Sequence, residues 1–539
     1  MVRSHPINRQ TVAQYRSLEK SVGWPIIIRN WIARLGAIAV AVSFVVPVWL
    51  LCPRHAHALS ASDTTPSVQK YRAPLVRATT PSLDARSDYA EGSKRLNAGD
   101  FAGAIPLLQR AIEHDPNFAM AYMALGLAYR NLKQYGPAME NLQKAFDLSD
   151  KASEKEKLMI AANYHSLDTG DLDKASEAYK EWARKYHGDS VPHNNLGVIY
   201  GHLGRYEQQC DEFLEALRLK PDSPVASANL VSAYSHLYHL GEARAAYERA
   251  LARKLESPKL HYNRYGVAFL EGDVGEMNRQ SAWSAGLPGS DDILLSPQSD
   301  TEAFTGHLGR ARELSRRASE SAQRAGEKEG AAGREMNAAL REAEFGNAAQ
   351  ARSRTDSALA LDSTQGTQIL AALALARAGD SDRAQKMADE LEKQNPLNTT
   401  INKYWLPTIR AALELNRQNP AKAVEILQTA ALDELGEPDP APEVGGFLYP
   451  IFLRGQAYLA LHQGSEAAIE FQKFLDYRGV AINCPLGALA RLGLARAYAL
   501  QGDTSKARAA FQDFLALWKD ADPDIPILIA AKAEYAKLP

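Results

Sequence analysis

The sequence has few cysteines, few aromatic residues and no excess of either charge. Only three of its 539 residues are cysteines, and they lie far apart, so the chain has neither a disulfide scaffold nor the ligand spacing of a zinc finger. Lysine and arginine (62) nearly balance aspartate and glutamate (64), which argues against a nucleic-acid partner. A hydrophobic fraction of 45% with so little net charge also excludes a largely disordered chain.

Catalytic and cofactor-binding motifs are lacking as well. We find no phosphate-binding loop, dinucleotide-binding glycine pattern, HExxH, GxSxG or paired Cys-x-x-Cys. His55 and His57 alternate in a proline-flanked stretch without a third ligand. The spacing of four further histidines suits helix surfaces better than one coordination sphere; they are His193, His202, His236 and His239. We expect no enzyme activity, no cofactor and no metal site.

The N-terminal region predicts where in the cell the protein is located. Residues 35–52 are uncharged and almost wholly apolar, and as a helix they would extend ~27 Å, near the lower limit for spanning a bilayer. Residues 1–34 carry six basic side chains and one acidic one, which predicts a basic cytoplasmic stub and an extracytoplasmic remainder. Residues 53–81 have the composition of a linker. The alternative is a signal peptide cleaved after residues 56–58, which would release the protein into the periplasm.

A period of 34 residues organises the rest of the chain. Gly92 and Gly126 are 34 residues apart, as are Ala104 and Ala138, and this period is the tetratricopeptide signature. Each unit reads as a first helix, a turn such as Ala-Gly-Asp, and a second helix with a recurring small residue. Because no hairpin can bury its apolar face alone, neighbouring hairpins must stack.

The predicted fold class is therefore all-α. We expect a right-handed superhelical solenoid of about twelve tetratricopeptide-type hairpins, preceded by one membrane helix. The array occupies residues 82–435, a Pro/Gly loop follows at 436–446, and residues 447–539 hold the last units and a capping helix. The loop residues 433–443, with five carboxylates and no base, are expected to be a solvated surface loop, and a cation site is the alternative.

Several segments resemble a known kind of signalling protein. They are residues 257–295, 341–352, 404–416, 448–461 and 510–528. Together they resemble the extracytoplasmic C-terminal region of acidobacterial-type membrane serine/threonine protein kinases, which join a kinase, one membrane helix and a long tetratricopeptide domain. No kinase motif occurs in this chain, and 34 residues before the membrane segment cannot hold a kinase domain. The resemblance therefore implies a sensor half without its kinase.

An asparagine recurs at one position of the first helix in three successive hairpins. Asn195, Asn229 and Asn263 are 34 residues apart, so stacking would align their amides on the inner face, where they could bond the backbone of a peptide. Alternatively, the amides tie adjacent helices together, and the sequence leaves both readings open. Four neighbouring inner-face residues complete the candidate peptide-binding set: Tyr164, Asn194, His202 and His236.

The leading hypothesis is a non-catalytic scaffold that binds proteins or peptides in its concave groove. We expect it in the cell inner membrane, held by a single span at residues 35–52, with the array in the periplasm or otherwise outside the cytoplasm. The alternative is a sensor subunit that acts on a separate kinase.

Overall fold

The computed structural model describes residues 79–98, 100–132, 134–285, 291–438 and 448–539. These residues form 26 α-helices and no strand. The helices of the first half are α1 (Leu83–Ala98), α2 (Phe101–His114), α3 (Ala119–Asn131), α4 (Tyr135–Asp147), α5 (Glu154–Asn163), α6 (Leu172–Lys185), α7 (Ser190–His202), α8 (Tyr206–Leu219), α9 (Pro224–His236), α10 (Leu240–Ala252), α11 (Pro258–Glu271), α12 (Val274–Ser284) and α13 (Asp291–Phe304). Those of the second half are α14 (Leu308–Arg324), α15 (Lys328–Glu344), α16 (Ala348–Leu361), α17 (Gln365–Arg377), α18 (Ser381–Gln394), α19 (Leu406–Asn416), α20 (Pro420–Leu427), α21 (Tyr449–Ala460), α22 (Gly464–Asp476), α23 (Arg478–Ala481), α24 (Leu486–Leu500), α25 (Thr504–Leu517) and α26 (Pro526–Ala536).

The helices pack as twelve successive hairpins, from α1/α2 to α21/α22 and then α24/α25. The short α23 and the final α26 stand outside these pairs, and α26 lies where the sequence predicts a capping helix. The prediction of an all-α solenoid of about twelve hairpins is confirmed. No helix within the described ranges is long and apolar enough to cross a membrane. The predicted span at residues 35–52 lies outside those ranges and stays a prediction.

Glycine and aspartate shape the turns inside the hairpins. Gly170 and Gly502 have positive φ angles of 65° and 74°, which glycine adopts without the steric penalty of a Cβ atom. The aspartate that follows caps the next helix: the side chain of Asp171 accepts from the Lys174 amide, and that of Asp503 accepts from the Lys506 amide. These caps satisfy amides that would otherwise lack partners. Glycine thus ends the first helix, and aspartate starts the second.

Close packing of small residues explains the low aromatic content. The recurring alanines Ala104, Ala138 and Ala175 are at most 1% exposed. A Cβ atom at Gly197 would lie 2.5 Å from the Phe213 ring, so the paired helices approach too closely there for any larger side chain.

Segments far apart in the chain also pack side by side. In chain order, the hydrogen-bonded pairs are Leu172–Thr399, His202–Glu437, Pro297–Asn483 and Phe304–Trp518. Partners in these pairs are 186 to 235 positions apart, and the later hairpins meet the earlier ones in the same order. The early hairpins therefore present a surface to later parts of the same chain.

One local feature differs from the sequence prediction. At the end of the predicted linker, Thr79 bonds Glu156 and Thr80 bonds Asp115, so these two residues pack against the first hairpins. The linker residues 53–78 lie outside the described ranges.

Candidate functional site

The side chains of the asparagine column, Asn195, Asn229 and Asn263, bond to other groups of the protein. Asn195 donates to the Tyr179 hydroxyl at 3.1 Å, and Asn194 donates to Asn195 at 3.2 Å. Asn229 donates to Asn194 at 3.1 Å and accepts from Lys259 at 2.8 Å. The starts of α7, α9 and α11 are thereby tied together.

Little of the column is open to a ligand. Asn263 donates to the Ala228 carbonyl at 2.7 Å, and the exposed fractions of Asn229 and Asn263 are 4% and 9%. A peptide could use these amides only by replacing bonds that they already make. The peptide ladder stays a prediction, and the helix-tying alternative accounts for the observed bonds.

Tyr164 opens a π-helical turn, Tyr164–Thr169, that continues α5. Its ring stacks on Phe146 with centroids 4.2 Å apart, and its hydroxyl donates to Gln143 at 2.7 Å. Burial raises the pKa of Tyr164, and it raises that of Asp168 in the same turn to about 6. Tyr164 makes no bond of its own to the other predicted residues, so the structure does not join it to them.

His202 and His236 occupy equivalent positions at the ends of α7 and α9, and both face one non-helical segment of the chain. We call residues 431–438 the acidic strap. His202 Nδ1 donates to the Glu437 carbonyl at 2.5 Å, and His236 Nε2 pairs with the Glu437 carboxylate. Two of the predicted site residues are thus brought together, with a ligand from the same chain.

Backbone groups of the strap are bonded in the manner of a captured peptide. The Glu437 amide donates to the Gly201 carbonyl at 3.0 Å, and the Tyr206 hydroxyl donates to the Leu435 carbonyl. With the bond from His202 to the Glu437 carbonyl, three backbone groups of the strap are held. Such bonds do not depend on the side chains of the bound segment.

The strap approaches the hairpin so closely that glycine is required on both sides. A Cβ atom at Gly436 would lie 2.2 Å from the His202 carbonyl oxygen, and one at Gly204 would lie 2.9 Å from the Gly436 amide nitrogen. Gly204 also has a positive φ of 67°. The tip of the α7/α8 hairpin therefore accommodates only a glycine-containing backbone. We call the surface formed by Gly201, His202, Gly204 and Tyr206, together with His236 of α9, the seat.

Charge at the seat favours a carboxylate. Burial is the largest single influence and opposes ionisation of Glu437, but the hydrogen bond and charge of His236, with the charges of His202 and Lys259, together lower the pKa of the Glu437 carboxyl. Lys259 acts in the same direction, while burial lowers the pKa of its own ammonium group. The other ring nitrogen of His236 faces Gln209 Oε1 at 3.2 Å.

A second glutamate anchors the strap on its other side. Glu434 is 2% exposed and pairs with Arg454 at 2.7 Å and with Lys473. The expectation of a solvated surface loop is therefore wrong for Glu434 and Glu437, because each carboxylate pairs with basic side chains of the helices. Residues 439–443 of that loop lie outside the described ranges.

Sequence reasoning missed most of this seat. Tyr206, Gln209 and Gly436 carried no motif, and Glu437 is 235 positions from His202, so no local spacing could join them. The one usable signal was the acidic composition of the loop beside histidines that recur at a 34-residue interval.

No group of histidine, cysteine, aspartate and glutamate side chains that could hold a metal ion occurs among the described residues. Cys210 and Cys484 are buried, and burial raises the pKa of the Cys210 thiol to about 12. Both cysteines therefore belong to the packing of the hairpins.

Tetratricopeptide repeat models match three parts of the chain. One model matches residues 89–152 and 452–524, and another matches residues 192–223. The last range covers α7 and α8, which carry the seat.

Two curated proteins are similar over shorter stretches. The chain is 28% identical over 170 residues to Superkiller protein 3 of Schizosaccharomyces pombe, which is 31% of this chain and 12% of that protein. It is 25% identical over 137 residues to Anaphase-promoting complex subunit 6 of Arabidopsis thaliana, which is 25% of each chain. The chain thus spans a quarter or less of the length of these relatives.

Solved structures resemble the chain only partly. The type IV pilus biogenesis factor PilW is 16% identical, with 40% of this chain and 99% of that chain covered and a TM-score of 0.34. PilF of Pseudomonas aeruginosa is 18% identical, with 40% of this chain and 97% of that chain covered and a TM-score of 0.32. The matched repeat models show that the chain contains tetratricopeptide repeats at those residues, and the twelve helical hairpins are an all-helical, solenoid-like arrangement of the same kind.

Proposed function

We propose that this protein is a non-catalytic scaffold that binds a protein partner through a non-helical segment laid across α7–α9. The observation that carries the proposal is the bonding of three strap backbone groups by Gly201, His202 and Tyr206. Tetratricopeptide repeat proteins generally act as scaffolds for protein–protein interaction, and stacked repeats provide extended binding surfaces.

We also propose that the array lies outside the cytoplasm and is anchored by residues 35–52. The support is the uncharged run of eighteen residues behind a basic flank, which favours retention of the basic end in the cytoplasm. The alternative role, a sensor subunit acting on a separate kinase, is supported by the resemblance of residues 257–295 and 510–528 to the sensor regions of membrane kinases.

In-cell photo-crosslinking tests both proposals in one experiment. A photoreactive amino acid replaces Val225, which is 44% exposed on α9 and stands one 34-residue period before Lys259. We expect discrete protein adducts, recovered in the membrane fraction and identified by mass spectrometry. A kinase without a sensor domain among the adducts would favour the sensor role.

The matched control carries the same amino acid at Ile529, which is 54% exposed on α26. We expect the Val225 adducts to be absent there. Equal adducts at both positions, or none at Val225, would refute binding across α7–α9. Soluble periplasmic protein that begins near residue 59 would refute the anchor.

A further inference from the structure

One basic side chain contacts the Glu437 carboxylate at the seat, and two others lie around the same residue. His236 is 6% exposed and pairs with Glu437, while His202 bonds the carbonyl of the same residue. Lys259 lowers the pKa of the Glu437 carboxyl as well. Buried polar groups need partners, so an occupant without an acidic side chain at this position would leave the buried His236 Nε2 without its carboxylate partner.

The residue before the glutamate must be small. Any side chain at Gly436 would run into the His202 carbonyl, because its Cβ atom would lie 2.2 Å away. Real Cβ atoms do not approach another atom so closely, and the obstacle is backbone, which cannot rotate aside. Glycine at this position is therefore a requirement of the seat and not only of the strap.

The residue before the glycine is apolar. Leu435 packs against the main hydrophobic core, and Tyr206, whose hydroxyl donates to the Leu435 carbonyl, is buried in the same core. The seat thus selects three consecutive residues by three different means: apolar contact, lack of a side chain, and charge.

The hairpins that form the seat do not need the strap for their own packing. A cluster of buried residues inside α8–α11, including Phe213, Val231, Ala243 and Val267, holds them together. His236 is oriented from within the hairpins, by Gln209 at 3.2 Å and Ser232 at 3.3 Å. His236 would therefore keep its orientation if the strap left the seat.

We propose that the seat recognises a large apolar residue–Gly–Glu segment of a partner protein, and that Leu435–Glu437 occupies the seat until that partner displaces it. This inference rests on the proposed function and specifies the chemistry of the partner segment. As a tethered occupant, the strap competes at a high effective concentration, so a free partner segment binds weakly while the strap is seated.

A peptide-binding measurement on the full chain tests the proposal. The probe is a fluorescein-labelled peptide with the sequence of residues 431–438, followed by fluorescence anisotropy. We expect Gly436→Ala, whose strap cannot seat, to bind the probe at least tenfold more tightly than wild type does. Adding His236→Ala to that variant should weaken binding at least tenfold, whereas adding His239→Ala, which changes an exposed histidine, should not.

A second variant guards against misfolding. Glu437→Gln keeps the shape of the strap but removes its charge, so it should shift probe affinity in the same direction as Gly436→Ala by a smaller factor. A probe with glutamine in place of its own Glu437 should bind at least tenfold more weakly to Gly436→Ala. Equal affinity of all chain variants for the probe would show that the strap is only a structural connection and would overturn the inference.

The two proposals can fail separately. Partner adducts at Val225 without probe binding would leave the scaffold role standing and refute the apolar–Gly–Glu preference. Probe binding without adducts at Val225 would support the apolar–Gly–Glu preference and refute the scaffold role.

Discussion

Replacing Trp518 by alanine should lower the free energy of unfolding by about 3–5 kcal/mol, the usual cost of emptying a large buried aromatic site. Trp518 is 1% exposed, and its indole N–H donates to the Phe304 carbonyl at 3.0 Å. Its ring also packs edge-on against Phe345, with centroids 5.2 Å apart. The loss should appear in denaturant unfolding followed by circular dichroism.

The effect of this substitution should reach both parts of the chain that Trp518 joins. Because long repeat arrays need not unfold as one unit, hydrogen exchange should be followed in α14 and α25, and we expect it to accelerate in both. Tyr477→Ala, at a ring that is 37% exposed, serves as control and should change stability by less than about 0.5 kcal/mol. Faster exchange in α25 alone would contradict the side-by-side packing of distant hairpins.

Removing one partner of the Asp300–Arg341 ion pair should be equally costly. Both side chains are at most 2% exposed, with Arg341 Nη1 3.1 Å from Asp300 Oδ1. Asn337 also donates to Asp300 at 2.9 Å, and Arg341 donates to Ser315 at 2.8 Å. Arg341→Met or Asp300→Ala leaves a single buried charge, which typically costs about 3–5 kcal/mol. Denaturant unfolding measures the loss.

The double variant separates the charge from the packing. Asp300→Leu combined with Arg341→Met leaves no unpaired charge, and replacing a buried pair by apolar residues is often close to neutral. We expect the double variant to be more stable than either single variant. A loss equal to the sum of the single losses would show that the pair does not interact energetically.

The period of the sequence was sufficient to predict the hairpins, because each hairpin is a local unit. A small residue such as Ala104 and a turn such as Gly502–Asp503 lie within one period of the residues that they contact. The number of hairpins and the capping helix follow from the same count. The sequence was therefore sufficient to predict the structure wherever the contacts join residues that are close in the chain.

The seat could not be predicted in this way. Its contacts join the tip of one early hairpin to a loop 235 positions later, and that distance depends on how the hairpins stack. The prediction identified His202 and His236 but took the loop that contains Glu437 to be solvated. A repeated asparagine was an equally ambiguous signal, since Asn229 has the same sequence pattern whether it binds a ligand or the next helix.

Hydrogen exchange of the acidic strap tests the central claim most directly. The Glu437 amide donates to the Gly201 carbonyl, so at neutral pH we predict exchange in residues 431–438 that is at least tenfold slower than in the free peptide. His236→Ala should reduce this protection at Glu437, where it removes the partner of the carboxylate, and His239→Ala should leave it unchanged. Exchange of the wild-type strap at the rate of the free peptide would contradict the claim that α7–α9 holds a peptide segment.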